Sequence, residues 1–521
     1  MKLETDVERL LRQRYYHPGE GWPILVNRVI DYVCQNETEE TYIERARTSL
    51  RERVWLPNSP CLANSGARNG GLFACFVVGP DRDELEHHVE TLGDIAAVGK
   101  RGGGCGFTGT HIRAEGAPVS GSVHGVAYGP NNWAIRVSDY LDMITQGNFR
   151  QIALMYTMRS DHPDLEKFIN LKQTKNERFA HNFNQSVMAT DEWMRDGITG
   201  RHNLLDTIAQ NAWQNGEPGL LFYDTINNQT PYIEEINATN PCGEQPLPSY
   251  GSCNLASINV AHETFLDFSK LIYNYDRLFE TAGLVARFLD NVGSQNIFPN
   301  HKFSDWYEAH RPVGVGLMGL ADLYLKMQIA YGSQASIDVL LRVMQTIYQG
   351  AREMSEWLGA KRGIPASCSH VGRRNITVTT VAPTGSIAFI GNCSHGIEPI
   401  FSPVYKRTDE KGESYIFEHH LAGEPYFVSA LNDEVDKQPT WKQHLDIQAA
   451  AQEFCDSGVS KTINIPHETE PAQVRQIIEY AWRKGCKGIT VYRDGSRQVQ
   501  VLEAQAQIAA ACPTGVCEVA L

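Results

Sequence analysis

Residues 240–260 read NPCGEQPLPSYGSCNLASINV. An amide, two thiols and a carboxylate are packed into this one short segment. Asn240, Cys242 and Glu244 alternate, so an extended backbone points all three side chains to the same side. Cys253 follows a Pro-Leu-Pro-Ser-Tyr-Gly-Ser link rich in turn-forming residues. A thiol flanked by a hydrogen-bonding amide and a base is a set of groups assembled for chemistry.

Outward from this segment the chain reads as α/β. The first sixty residues carry apolar side chains at helical spacing, Val29, Ile30 and Val33 and then Ile43, Ala46 and Leu50. From about residue 70, short apolar runs alternate with glycine-rich turns and amphipathic helices. Ile337, Leu340, Leu341, Met344 and Ile347 form one helix face. Pro471 opens another helix, with Val474, Ile477, Ile478 and Ala481 on one side. Gly485 stops it, and 487–492 follows as a strand. There is no internal repeat. After about residue 503 the chain turns Ala/Gln-rich, the composition of a mobile tail, with Cys512 and Cys517 near its end.

Bulk properties set the outer bounds. A length of 521 residues suggests three domains as a prior, and a single closed α/β barrel with long insertions fits equally well. No run approaches the apolar length of a membrane span, and the N-terminal MKLETDVERLLRQRYY lacks the apolar core of a signal peptide. A cytoplasmic protein without a membrane partner is expected. The net charge of −14 argues against broad polyanion binding, so nucleic acid is not an expected partner. Twelve cysteines in a chain of this size do not make a secreted disulfide scaffold. Most cysteines in such a chain are small buried hydrophobes, the expectation for Cys34, Cys368, Cys455 and Cys486.

A second segment with chemistry in it lies at 375–390. Asn375–Val381 is β-branched and reads as a strand, running into Ala382, Pro383, Thr384, Gly385 and Ser386 and then apolar Ile387–Ile390. Strand, small-residue turn, then helix start is an arrangement whose free N–H groups can hold a phosphate, although in isolation an ordinary turn is the better reading.

Together these stretches resemble ribonucleotide reductases, and the 240–253 segment resembles the active-site finger loop of the adenosylcobalamin-dependent (class II) form. The resemblance runs over residues 15–500 and the tail cysteines. It implies a ten-stranded α/β barrel built from two five-stranded halves, with the finger loop threaded through its centre. The implied organisation is a helical N-terminal region at 1–66, the catalytic barrel at 67–502 and a redox tail at 503–521. The implied activity is reduction of ribonucleotides to 2′-deoxyribonucleotides by a thiyl radical.

The resemblance also assigns roles. Cys242 is the thiyl that abstracts the 3′-hydrogen, Glu244 the base on the 3′-hydroxyl, and Asn240 the hydrogen-bonding partner of the ribose hydroxyls. Cys253 is one of the reducing pair. The family's second member stands on a distant strand after a Pro-x-Leu-x-Asn-x-Gly run, matched here by Pro60–Gly66 and then Cys75-Phe76. Cys75 is the implied partner. Cys512 and Cys517 match the pair that shuttles electrons from a thioredoxin-like reductant; alone, they offer half of a zinc site, with no Cys/His pair following to complete it. Pro383, Thr384, Gly385, Ser386 and Ile387 match the substrate-phosphate loop.

The region 488–497 (GITVYRDGSR) has one tyrosine, Tyr492, where a class I large subunit carries two adjacent ones to receive a radical from a metal-bearing partner. Adenosylcobalamin is therefore the implied cofactor, with class I as the alternative; a catalytically silent nucleotide-binding relative and a zinc-binding structural protein are further rivals. No resident metal is expected. A homodimer is the commoner state of this form. Departures from the family are a short N-terminal region with no room for an ATP-binding regulatory domain and an altered loop at 147–153. Cys61, Cys105, Cys393 and His395 stand where relatives carry other small or polar residues.

Overall fold

The computed structural model describes residues 2–121, 123–141, 145–146, 150–173, 183–267, 271–408, 414–419, 421–431, 435–496 and 502–504. Nine strands among these build the central sheet: β1 (Cys75–Val77), β2 (Gly104–Thr108), β3 (Leu154–Arg159), β4 (Phe183–Ala189), β5 (Gly219–Phe222), β6 (Ser252–Asn259), β7 (Val313–Met318), β8 (Thr462–Ile465) and β9 (Gly488–Arg493). The first five pair in chain order, each parallel to the next. In the second half β6 runs parallel to β7, and β8 to β9.

The tenth place, between β7 and β8, is filled by residues 377–381. Val315 bridges Thr379 and Val381 bridges Val459, both in parallel sense. The N–H of Val315 donates to the Val378 carbonyl and that of Ser460 to the Val381 carbonyl, each at 2.8 Å. The β-branched 375–381 run is thus extended, but it forms two bridges instead of a full strand. One cause is visible: the Val378 N–H is taken at 2.8 Å by the Asp456 carboxylate.

The two halves meet antiparallel at both seams, Cys75 opposite Cys253 where β1 meets β6, and Leu221 opposite Gly488 where β5 meets β9. The sheet therefore closes into a barrel of ten members in two five-membered halves, and closure removes its free edges. All eight residues of β6 are buried, which is why the strand shows no polar alternation. A short strand, Trp55–Pro57, continues along the same edge of β6 beyond β1.

Helices cover the outside. Trp22–Val33 buries Val29, Ile30 and Val33, and Glu40–Arg51 buries Ala46 and Leu50. Tyr42, not Ile43, is the third buried residue of the latter helix. Gln334–Arg362 buries Leu340, Met344 and Ile347 and packs along Tyr275–Gln295. Pro471–Arg483 buries Val474, Ile477, Ile478 and Ala481, packs on Leu204–Asn215 and ends before Gly485, whose φ is +71°. None of the described helices is long and apolar enough to cross a membrane. Leu502–Ala504 forms a strand against Val404–Thr408.

Two glycines open the barrel's interior. A Cβ on Gly106 of β2 would collide with the carbonyl of Thr239, and one on Gly458 would lie 2.6 Å from the carbonyl oxygen of Gly243. Backbone from 239–244 can pass through the barrel because neither wall carries a side chain there.

Candidate active site

The finger is a hairpin. Its two-residue strands, Ala238–Thr239 and Pro246–Leu247, pair antiparallel with Thr239 opposite Pro246. Between them the Asn240 side-chain oxygen accepts from the Gln245 N–H (2.9 Å), the Asn240 N–H donates to the Gln245 carbonyl (3.2 Å), and Gly243 adopts φ +80°. A side chain that closes its own turn competes with extended backbone. The expectation that Asn240, Cys242 and Glu244 share one side is corrected accordingly: Asn240 and Glu244 are buried, and Cys242 is exposed at the turn.

Both halves hold the finger. The Thr157 hydroxyl donates to the Asn237 carbonyl (2.7 Å) and the Asn184 amide to that of Pro241 (3.1 Å). From the second half, the Gly458 N–H (2.8 Å) and the Thr380 hydroxyl (3.0 Å) donate to the Glu244 carbonyl.

Beneath the finger stand the two buried thiols. Cys75 and Cys253 are direct partners in the β1–β6 ladder. Opposed residues of an antiparallel pair keep Cα atoms roughly 4.5–5.5 Å apart, within the span of a disulfide. The Asn240 amide reaches the Cys75 sulfur at 3.3 Å, and the Cys75 thiol points to Glu244 Oε1 at 3.7 Å. Glu244 Oε2 is buried without a hydrogen-bond partner. Burial raises the Glu244 carboxyl above the ordinary carboxylate range, against the opposing pull of the Asn240 amide. Burial, reinforced by Glu244, pushes both thiols well above the ordinary cysteine value. Both are therefore S–H groups at neutral pH, suited to giving up hydrogen.

Cys242 opens on a cavity of about 840 Å³. Its wall includes Pro241 and Gly243 of the finger, Asn184–Ser186 of β4, Gly488–Tyr492 of β9, and Pro383 and Gly385. These last two belong to the expected phosphate turn. Thr384 (φ +59°) stands at the N-cap position of the helix Gly385–Ile390 without a side-chain cap, and the first intrahelical bond runs from the Ala388 N–H to the Thr384 carbonyl (2.8 Å). The amides of Gly385, Ser386 and Ile387 precede that bond and face the helix start. The Ile387 side chain itself is core packing.

Of the expected residues, the structure brings together Asn240, Cys242, Glu244, Cys75, Cys253 and the 383–387 turn. Cys512 and Cys517 lie outside the described residues. Cys34, Cys368, Cys455 and Cys486 are buried, as are Cys61 and Cys105, while Cys393 and His395 lie in the cavity wall. Two further residues of that region, Lys461 and His444, escaped sequence reasoning. Glu398 and Lys461 form an ion pair at the wall, and Lys461 also donates to His444 Nδ1 at 3.0 Å. Glu398 sits in the Gly396–Pro399 run, which shares the family resemblance of the 383–387 turn; Lys461 and His444 carry no local pattern.

Two buried thiols in register across a seam, with a third thiol opening on a cavity beside them, are the groups that thiol-dependent redox chemistry requires. The chain belongs to the ribonucleotide reductase family: a family model described as "Ribonucleotide reductase, barrel domain" matches residues 73–200, 197–368 and 365–492. A Thermoplasma acidophilum protein named vitamin B12-dependent ribonucleoside-diphosphate reductase is 36% identical over 561 aligned residues, covering 96% of this chain and 72% of the other. A Mycobacterium tuberculosis protein of the same name is 34% identical, covering 97% and 81%. Among solved structures, the Actinobacillus ureae class Id ribonucleotide reductase alpha subunit superposes with a TM-score of 0.80 at 20% identity, over 95% of this chain and 97% of that one. At that identity the likeness is one of fold.

Proposed function

We propose that the protein reduces ribonucleotides to 2′-deoxyribonucleotides by a thiyl-radical mechanism dependent on adenosylcobalamin. The facing of Cys75 and Cys253 across the β1–β6 seam, under a finger that presents Cys242 to the cavity, carries this proposal. With the phosphates at the 383–387 turn, a ribose at the finger meets Cys242 on its 3′ side. Cys242 takes the 3′-hydrogen as a thiyl radical, Glu244 takes the 3′-hydroxyl proton, and Asn240 orients the hydroxyls. The 2′-hydroxyl leaves as water. Cys75 and Cys253 supply two protons and two electrons and join as a disulfide, and Cys242 returns the 3′-hydrogen. Ribonucleotide plus dithiol thus becomes deoxyribonucleotide, water and disulfide.

Phe389, Phe401, Ile489 and Val491 give the cavity an apolar wall on which adenosylcobalamin would rest beside the finger. Bound there, the cofactor supplies the homolytic chemistry that converts the Cys242 thiol into a thiyl radical. The names of the Thermoplasma and Mycobacterium relatives support this over a class I large subunit, as does the single Tyr492. Those names also favour a diphosphate substrate. Re-reduction of the disulfide by a thioredoxin-like protein through Cys512 and Cys517, and a homodimeric state, complete the proposal, with 1–66, 67–502 and 503–521 as helical region, barrel and redox tail.

The test is reduction of CDP and CTP by the purified chain with dithiothreitol, with and without adenosylcobalamin. Activity that requires the cofactor supports the proposal; cofactor-independent activity, or activity only with a metal-bearing partner, overturns the class II assignment.

A further inference from the structure

The phosphate turn and the finger are tied to the same short segment, residues 458–462. At one end, the Gly458 N–H donates to the Glu244 carbonyl at 2.8 Å. At the other, the Thr462 N–H donates to Glu398 Oε1 at 2.7 Å, and Lys461 pairs with Glu398 Oε2. Glu398 is in turn coupled to the turn. Two residues before it, the Gly396 N–H donates to the Thr384 hydroxyl at 2.8 Å, and a Cβ at Gly396 would lie 2.9 Å from the Ala382 carbonyl oxygen. Between them, the Ile397 carbonyl accepts from the Tyr331 hydroxyl at 2.7 Å. The Lys461 side chain is fully buried, so its charge is committed to this junction.

An ion pair so placed sets a length. We infer that Glu398 and Lys461 are positioning residues that fix the span between the phosphate-holding turn and the finger thiol, and so select the number of phosphates on the substrate. Adding or removing one phosphate displaces the ribose along this span, and a displacement on the order of 1 Å at a reacting centre can cost about 10²-fold in rate. A rigid span rewards one phosphate count and rejects the other. The inference rests on the proposed ribonucleotide substrate.

The experiment measures CDP and CTP affinity by titration calorimetry on the full chain, together with kcat and KM for each, in wild type, Glu398→Gln and Lys461→Met. Wild type is expected to favour one nucleotide by tenfold or more. Both variants are expected to reduce that preference to within about threefold, chiefly through the preferred nucleotide. A general structural defect would instead weaken both nucleotides in parallel and leave the ratio unchanged. That result in either variant, with melting temperature near wild type, overturns the inference, as does a wild type without preference. If wild type discriminates in binding yet reduces neither nucleotide with adenosylcobalamin, the span stands and the reductase proposal falls.

Discussion

Oxidising Cys75 and Cys253 to a disulfide should stabilise the barrel by a measurable and calculable amount. The two residues face each other across the β1–β6 ladder, so the link forms without moving either strand. It closes a loop of about 178 residues, and the chain-entropy relation gives ~5 kcal/mol removed from the unfolded ensemble at 25 °C. For 521 residues the entropy of unfolding is about 1.1 kcal/mol/K, so the melting temperature should rise by about 5 °C. Scanning calorimetry of the chain reduced with dithiothreitol and oxidised with diamide reads the shift. Peptide mapping verifies the Cys75–Cys253 link, and Cys75→Ser should abolish the shift. Equal melting temperatures in chains whose link is verified, or a link formed elsewhere, would refute the claim that the folded strands already hold the thiols in register.

Cys242→Ser should abolish turnover while leaving nucleotide binding by calorimetry unchanged; appreciable remaining turnover would remove Cys242 from its assigned role. Glu244→Gln should lose activity yet gain stability relative to wild type as pH rises. Burial raises the Glu244 carboxyl, so its contribution to folding is present below the ordinary carboxylate value of about 4.3 and lost as pH climbs through the raised one; melting curves from pH 4 to 8 that stay parallel would contradict this. Gly106→Ala should destabilise by about 1–3 kcal/mol or more in denaturant titration and suppress activity, because its methyl group meets the Thr239 backbone; a neutral effect would mean the finger does not pass there. Changing both Cys512 and Cys517 to Ser should eliminate turnover supported by thioredoxin and spare turnover with dithiothreitol; loss of both would assign those cysteines a different task.

The helices were legible in the sequence because each presents a single apolar face: 334–362 through Leu340, Met344 and Ile347, and 471–483 through Val474, Ile477 and Ile478. The barrel was not legible from periodicity. β1 is three residues long and β6 is buried on both faces, so neither alternates, and closure depends on partners far apart in the chain. Only the family resemblance predicted it. The thiols followed the same rule: Cys253 and Cys75 are paired by resemblance in the sequence and by register in the structure. The orientation of Cys242 was misread because alternation assumes extended backbone, and the Asn240 side chain closes a turn instead. Lys461 went unread because its partners, Glu398 and His444, are brought to it only by the fold.

The position of the thiol pair has a mechanical meaning. A ten-membered barrel with two antiparallel seams is a hoop made of two half-hoops, and Cys75 and Cys253 sit across one of the joins. The second join, Leu220–Leu221 against Gly488–Ile489, borders the cavity and has only backbone pairing in its ladder. In the proposed reaction the first join becomes covalent as the dithiol gives up its electrons, and returns to hydrogen bonds alone when the disulfide is reduced. On the proposed mechanism each catalytic cycle would fasten and release a clasp at this join, restraining motion that parts the two half-hoops there in the spent state and freeing it in the electron-loaded one.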